Sequence, residues 1–292
     1  MSPMVLTLLF TALTTSTVAV MLSHHWLFAW LALELNTLTI LPIIIKHHHP
    51  RATEAATKYF LIQATAAATL LLAGTMNAWQ TGQWDITHTT PPVAMLFTMA
   101  IMMKLGLAPM HLWYPEILQG TTMLTALLIS TWQKIAPLTL LFLTAPALPT
   151  NTLMLSGLLS ALLGGWAGLN QTQTRKIMAF SSIAHMGWLI TTICLNPSLT
   201  MLAFILYTIM TTTMFITLNT NTTNSLTNLN TMWSYSPTML TLTMLTLLAL
   251  GGLPPLTGFM PKWLILKELV TADLMTLSTA LALASLPSLF FY

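Results

Sequence analysis

Thr98-Met99-Ala100-Ile101-Met102-Met103-Lys104-Leu105-Gly106-Leu107-Ala108-Pro109 puts one lysine inside an apolar run and, two and five residues later, a glycine and a proline that interrupt a helix. The run belongs to a stretch of about membrane-spanning length, 93 to 115, so Lys104 falls near the centre of a crossing. A charge there costs roughly 2.5 to 3.5 kcal/mol even on lenient insertion scales, and such groups face a protein interior or a hydrated cavity. The break leaves backbone carbonyls unpaired that admit water and can rearrange; the plainer reading of the lysine is a polar link between helices.

The rest of the chain is built in the same way. Of 292 residues, 55% are hydrophobic and 5% charged, against about 25% charged in an ordinary soluble domain. Apolar runs recur over 3 to 22, 26 to 45, 57 to 78, 93 to 115, 121 to 143, 152 to 170, 176 to 195, 197 to 218, 237 to 270 and 273 to 292. These predict an all-α polytopic membrane protein of about ten transmembrane helices. The ninth run is too long for one crossing and contains Gly251-Gly252-Leu253-Pro254-Pro255, which predicts a second broken helix. The two interruptions lie five helices apart, the spacing of two five-helix units related as inverted repeats.

Several function classes are excluded by what the residues lack. The basic residues form no stripe, so a nucleic-acid surface is not expected. The single cysteine, Cys194, makes neither an internal disulfide nor a four-cysteine metal or iron-sulfur site. His47-His48-His49 point in different directions, and the run reads as a solvated loop rather than a metal site. No dinucleotide fingerprint, phosphate loop or nucleophile elbow is present. The N-terminal run reads as a retained helix, with neither a cleavable signal nor an Arg-rich presequence. Lys46, Arg51, Arg175 and Lys176 fall in or beside even-numbered loops, while loops one, three, five and seven carry no Lys or Arg. The positive-inside rule therefore puts the N-terminus and the even loops on the matrix or cytoplasmic side.

The chemistry rests on buried charge. Glu34 lies near the centre of the second run, Lys104 of the fourth and Lys134 of the fifth. Lys262 follows the second break, where periodicity leaves both an intramembrane and a juxtamembrane position open. Lysine suits proton handling because a desolvated ammonium releases its proton readily, whereas arginine stays protonated. A carboxylate opposes that release by about 4 kcal/mol at about 4 Å and an effective dielectric near 20. Moving Glu34 relative to Lys104 would thus load or discharge the lysine. His111 and His185 are candidates for a proton relay, with a satisfied interior histidine as the alternative for each. The 21 methionines read as adaptable packing rather than as metal ligands.

Four strings carry a resemblance: Thr53-Glu54-Ala55-Ala56-Thr57-Lys58-Tyr59-Phe60; Lys104 to Pro109 with His111 and Trp113; Leu169-Asn170-Gln171-Thr172-Gln173 leading into Arg175-Lys176; and Gly251 to Phe259. Together they resemble the subunit 2 family of mitochondrial NADH:ubiquinone oxidoreductase, respiratory complex I, in its vertebrate form. The resemblance runs from Met1 to Tyr292. It implies one membrane domain, 1-292, with antiporter-like inverted repeats: a first half of about 1-143, shorter by three N-terminal helices than bacterial relatives, and a second half of about 152-292. Members continue beyond Phe290-Phe291-Tyr292 by roughly another helix, so the second half is expected to be incomplete. It also implies Glu34 and Lys104 as the proton-binding pair of the first half-channel, Lys134 as the connecting lysine and Lys262 as the site of the second.

The function so implied is proton translocation across the inner mitochondrial membrane, coupled to electron transfer from NADH to ubiquinone in other subunits. FMN, iron-sulfur clusters and ubiquinone would be held by those subunits, and none by this chain. Neighbouring membrane-arm subunits are the expected partners, with cardiolipin as a lipid candidate. Two alternatives belong to other classes: a stand-alone cation/proton secondary antiporter, and a structural subunit whose buried charges hold helices together.

Overall fold

The computed structural model describes residues 2–46 and 48–292. Fourteen α-helices are present among them. The first half comprises α1 (Pro3–Met21), α2 (Trp26–Ile45), α3 (Pro50–Thr81), α4 (Pro91–Leu105), α5 (Trp113–Gly120), α6 (Met123–Ser130) and α7 (Ile135–Thr144). The second comprises α8 (Thr150–Gly168), α9 (Thr174–Ile193), α10 (Pro197–Thr220), α11 (Leu226–Tyr235), α12 (Pro237–Gly251), α13 (Phe259–Thr271) and α14 (Met275–Phe291). The chain is all-α, and no strand occurs among the described residues.

Local sequence sets these boundaries. Proline opens α1, α3, α4, α10 and α12, where its missing N–H removes no helical bond. Ser2, His49, Asn196 and Ser225 cap helix N-termini with their side chains. His49 of the histidine run is thus a cap on α3, while His47 lies outside the described residues. The many threonines are compatible with a lipid surface because their hydroxyls bond back to the carbonyl three residues earlier, as at Thr7, Thr57, Thr139 and Thr208.

Five stretches are long and apolar enough to cross a membrane: Pro3–Met21, Trp26–Ile45, Pro50–Thr81, Met123–Ala147 and Pro197–Thr220. The 15 residues of α4 or of α12 reach only about 22 Å at the helical rise, short of a hydrocarbon core of about 30 Å, so each needs the helix beyond its break to complete a crossing. The outer surface is apolar, with Phe28, Leu31, Leu61, Leu155, Ile205, Leu245 and Leu283 exposed. Trp79, Trp166, Trp233 and Tyr235 are exposed near helix ends, where aromatic side chains meet a membrane interface. In the interior α8 and α9 approach so closely that a Cβ on Gly157 would lie 2.5 Å from Thr191, and one on Gly187 2.4 Å from Ser160. Small residues at such crossings replace the hydrophobic drive that lipid does not supply.

Two further features refine the linear reading. The third run extends to 32 residues as α3, and the surface connection at 219 to 236 contains α11, whose Leu229 and Met232 are buried. The loops sort by end. Trp26 donates its amide to the Trp84 carbonyl and His25 bridges to Asp85, which joins loops one and three. Gln173 bridges to Ser225, and Arg175 donates to the Thr121 carbonyl, which joins loops four, six and eight at the opposite end.

Candidate functional site

Both helix breaks use the same backbone device. At the first, Gly106 takes φ 70° and ψ 41°, and the Leu107 amide returns to the Met102 carbonyl at 3.0 Å. At the second, Gly252 takes φ 81° and ψ 38°, and the Leu253 amide returns to the Leu248 carbonyl at 3.3 Å. Left-handed glycine suits both positions because a Cβ would clash with the following carbonyl. Ending a helix inside the protein leaves carbonyls without amide partners, and buried carbonyls need donors. Gln63 Nε2 supplies one to Lys104 O at 3.4 Å, and Lys262 Nζ supplies one to Gly251 O at 2.8 Å.

Lys104 sits in the last turn of α4, 7% exposed, and its Nζ has no hydrogen-bond partner. The helix C-terminus favours a cation there. Glu34 is half-buried on α2, and its Oε2 is likewise buried without a partner. Among the described residues the ion pairs within 4.0 Å are Lys58–Glu54 and Lys58–Glu116, so Glu34 and Lys104 are not in direct contact. A narrow cavity adjoins Lys104: it is lined by Leu33 and Asn36 of α2, by Tyr59, and by Gln133 and Lys134, while Glu34 is not among its lining residues. At about 20 Å³ it has room for about one water molecule. Gln133 Nε2 donates to Asn36 Oδ1 at 3.2 Å, and Tyr59 reaches Gln133 at 3.5 Å.

Lys134 lies across this cavity from Lys104, at a short 3-10 turn, Trp132–Lys134, between α6 and α7. Its Nζ donates to the Tyr207 hydroxyl at 3.1 Å and lies 5.2 Å from the Tyr114 ring centroid. Tyr207 also lines a second cavity, together with His185, Trp188 and Lys262. Its ring centroid is 5.6 Å from that of His185. Lys262 is on α13 directly after the break, 6.0 Å from the Trp188 ring centroid.

The tertiary structure thus places Lys104 and Lys134 on one cavity and His185 and Lys262 on another, with the Lys134–Tyr207 hydrogen bond between them, and leaves Glu34 off both. His111 is brought close to the first break, buried, with Nδ1 unpartnered, but it lines neither cavity. Tyr207 and Asn36 belong to the site, and Gln63 supports it through the Lys104 carbonyl, although no charge marks them in the sequence. A polar amide inside a run too apolar to face water is the one signal that points to Gln63 and Asn36; nothing of the kind marks Tyr207. Among the described residues no three His, Cys, Asp or Glu side chains converge on a common point that would hold a metal.

The profile of the NADH:quinone oxidoreductase/Mrp antiporter transmembrane family matches residues 23–287. NADH-ubiquinone oxidoreductase chain 2 of Carassius auratus is 55% identical over 293 residues, which is 100% of this chain and 84% of that protein. Chain 2 of Struthio camelus is 57% identical over 271 residues, 92% of this chain and 78% of that one. A chain in the structure of respiratory complex I from Thermus thermophilus with bound aureothin superposes with a TM-score of 0.89 at 26% identity, covering 97% of this chain and 68% of its own. A chain of an Mrp complex from Dietzia superposes at 0.85 and 14% identity, covering 97% of this chain and 58% of its own, a likeness of fold alone. The chain therefore belongs to the NADH:quinone oxidoreductase/Mrp antiporter transmembrane family, and within it to the chain 2 family of NADH-ubiquinone oxidoreductase.

Proposed function

We propose that this chain is the second core subunit in the membrane arm of respiratory complex I and translocates protons across the mitochondrial inner membrane as electrons pass from NADH to ubiquinone in other subunits. The observation that carries this reading is the set of three lysines, Lys104 and Lys134 buried and Lys262 half-buried, associated with two cavities and the Lys134–Tyr207 hydrogen bond. Three cations inside a membrane protein are costly, and a costly charge that is not ion-paired is retained for transport more readily than for cohesion.

In this mechanism Glu34 and Lys104 form the proton-binding pair of the first half-channel, with separation in place of contact as the loaded or discharged state. Lys134 is the connecting lysine, and Lys262 is the site of the second half-channel. His185 lies between Lys134 and Lys262 as a relay, and His111 serves the first break. The halves are about 1-143 and 152-292. Redox chemistry is assigned to other subunits, which would hold FMN, iron-sulfur clusters and ubiquinone. Neighbouring membrane-arm subunits are the partners, with cardiolipin at the lipid surface.

The N-terminus and even loops are assigned to the matrix side. Lys46, Arg51, Lys58, Arg175 and Lys176 gather toward the even-loop end with Glu54 and Glu116, whereas the odd-loop end carries Lys267 with Asp85, Glu268 and Asp273. That asymmetry supports the orientation.

Substitution at Lys134 tests the reading. Lys134→Met keeps the length of the side chain and removes the charge, and Lys134→Arg keeps a charge that cannot be released in this range. Both variants are expected to assemble, to oxidise NADH with an artificial acceptor at the normal rate, and to lose pumping-coupled turnover by about ten-fold or more. Normal proton pumping at normal rate in the arginine variant would exclude reversible deprotonation at this site. Impaired assembly with unaltered pumping per assembled complex would favour the structural alternative.

A further inference from the structure

Between Ser130 and Ile135 the helix is not regular. A regular turn would bring the Lys134 amide back to the Ser130 carbonyl, but it reaches Thr131 instead, at 3.3 Å. The Ser130 carbonyl is thereby released inside the protein, and the Tyr207 hydroxyl donates to it at 3.2 Å. The same hydroxyl oxygen accepts from Lys134 Nζ at 3.1 Å. Tyr207 is 1% exposed; it is bonded to Lys134, which lines the cavity with Lys104, and it lines the separate cavity that holds His185 and Lys262. Its ring faces His185 with centroids 5.6 Å apart and planes inclined by 42°.

We propose that the Tyr207 hydroxyl is the proton-transfer group between the two halves, alternating between the Ser130 carbonyl and the His185 ring. The proposal rests on the proton-translocating reading given above. With the hydroxyl on Ser130, its proton points away from His185 and the path is closed. If the 3-10 turn relaxes to a regular one, the Lys134 amide takes the Ser130 carbonyl and the hydroxyl is freed to turn toward His185. The Lys134 ammonium then gives one proton to the Tyr207 oxygen as that oxygen gives its own to an imidazole nitrogen of His185. Lys134 ends neutral, His185 protonated and Tyr207 unchanged, so one proton has moved toward Lys262 and the charge balances. The irregular turn and the lysine it carries are thus one switch, because the same backbone step that repositions the Lys134 amide releases the tyrosine.

Tyr207→Phe keeps the ring and its packing on His185 and Phe204, and removes only the hydroxyl. In inner-membrane vesicles carrying the whole complex, the expected result is normal assembly, normal NADH oxidation with an artificial acceptor, and about ten-fold slower pumping-coupled turnover. Tyr207→His, which again supplies a group able to take and give a proton, is expected to recover at least half of that loss; a merely structural role for the tyrosine would not be rescued by it. Full coupled turnover in Tyr207→Phe overturns the proposal. So does an assembled Tyr207→His variant no faster than Phe, and that comparison is replaced by His against the parent chain if Phe fails to assemble. Lys134→Met measured alongside separates the two levels: normal pumping there removes the functional reading itself, whereas loss there with normal Tyr207→Phe removes only the tyrosine's role.

Discussion

The two halves of the molecule repeat one arrangement with different charges. In the first, α1 packs on α2, α2 on α3, and α3 on both sides of the break formed by α4 and α5; in the second, α8 packs on α9, α9 on α10, and α10 on both α12 and α13. The backbone bridges repeat as well, His25 with Asp85 in one half and Gln173 with Ser225 in the other. Yet the lysine precedes the break in the first half and follows it in the second. Two residues before Gly106 stands Lys104, and two before Gly252 stands Leu250. Ten after Gly106 stands Glu116, paired with Lys58 at 2.7 Å, and ten after Gly252 stands Lys262. One backbone device therefore serves two electrostatic tasks. In the first half a neutral amide, Gln63, satisfies the carbonyl freed at the break and leaves the lysine unbonded, while in the second the lysine itself satisfies it.

That contrast is open to direct attack through the two carbonyl partners. Lys262→Met removes both a titratable group and the donor to Gly251 O, and it is expected to lower pumping-coupled turnover by about ten-fold or more. Gln63→Leu removes only a donor, and it is expected to cost about 1 to 3 kcal/mol of stability, read as earlier thermal loss of the assembled complex, with pumping per assembled complex preserved. Equal pumping defects in the two would mean that the freed carbonyl matters and the lysine's charge does not.

The glycines sharpen the comparison at smaller magnitude. Alanine at either position bears the left-handed strain of about 1 to 2 kcal/mol. At Gly252 the new Cβ also meets Lys262 Cδ and Nζ at 3.0 Å, whereas at Gly106 it meets the Trp113 and Tyr114 rings at 3.3 Å. Gly252→Ala is therefore expected to impair coupled turnover beyond its stability loss, and Gly106→Ala to show mainly the stability loss. Activity assays on thermally matched samples distinguish the two. The smallest effect is expected at Lys58, whose pairs with Glu54 and Glu116 are solvent-open in this chain. Lys58→Met should leave the thermal midpoint of the assembled complex within error, since exposed pairs contribute little. A clear drop would show that this face is covered in the assembly.

What the sequence by itself determined is the solvent, the helical class and the places where helices fail. Composition excludes water as the surroundings of most side chains, and Gly106 to Pro109 and Gly251 to Pro255 interrupt apolar runs wherever the chain goes. It also marked Glu34, Lys104 and Lys134, because a charge inside such a run is expensive irrespective of its neighbours. The positions of these groups relative to one another came only with the tertiary structure. Periodicity gives no distance between α2 and α4; in the folded chain Glu34 and Lys104 form no ion pair, and only Lys104 lines the first cavity. Lys262, ambiguous along the chain, is half-buried on the second cavity, where the freed Gly251 carbonyl takes its ammonium. Tyr207 is invisible in the sequence for the converse reason: an uncharged ring in an apolar helix carries no local cost, and its role arises only where α10 meets the irregular turn at Lys134.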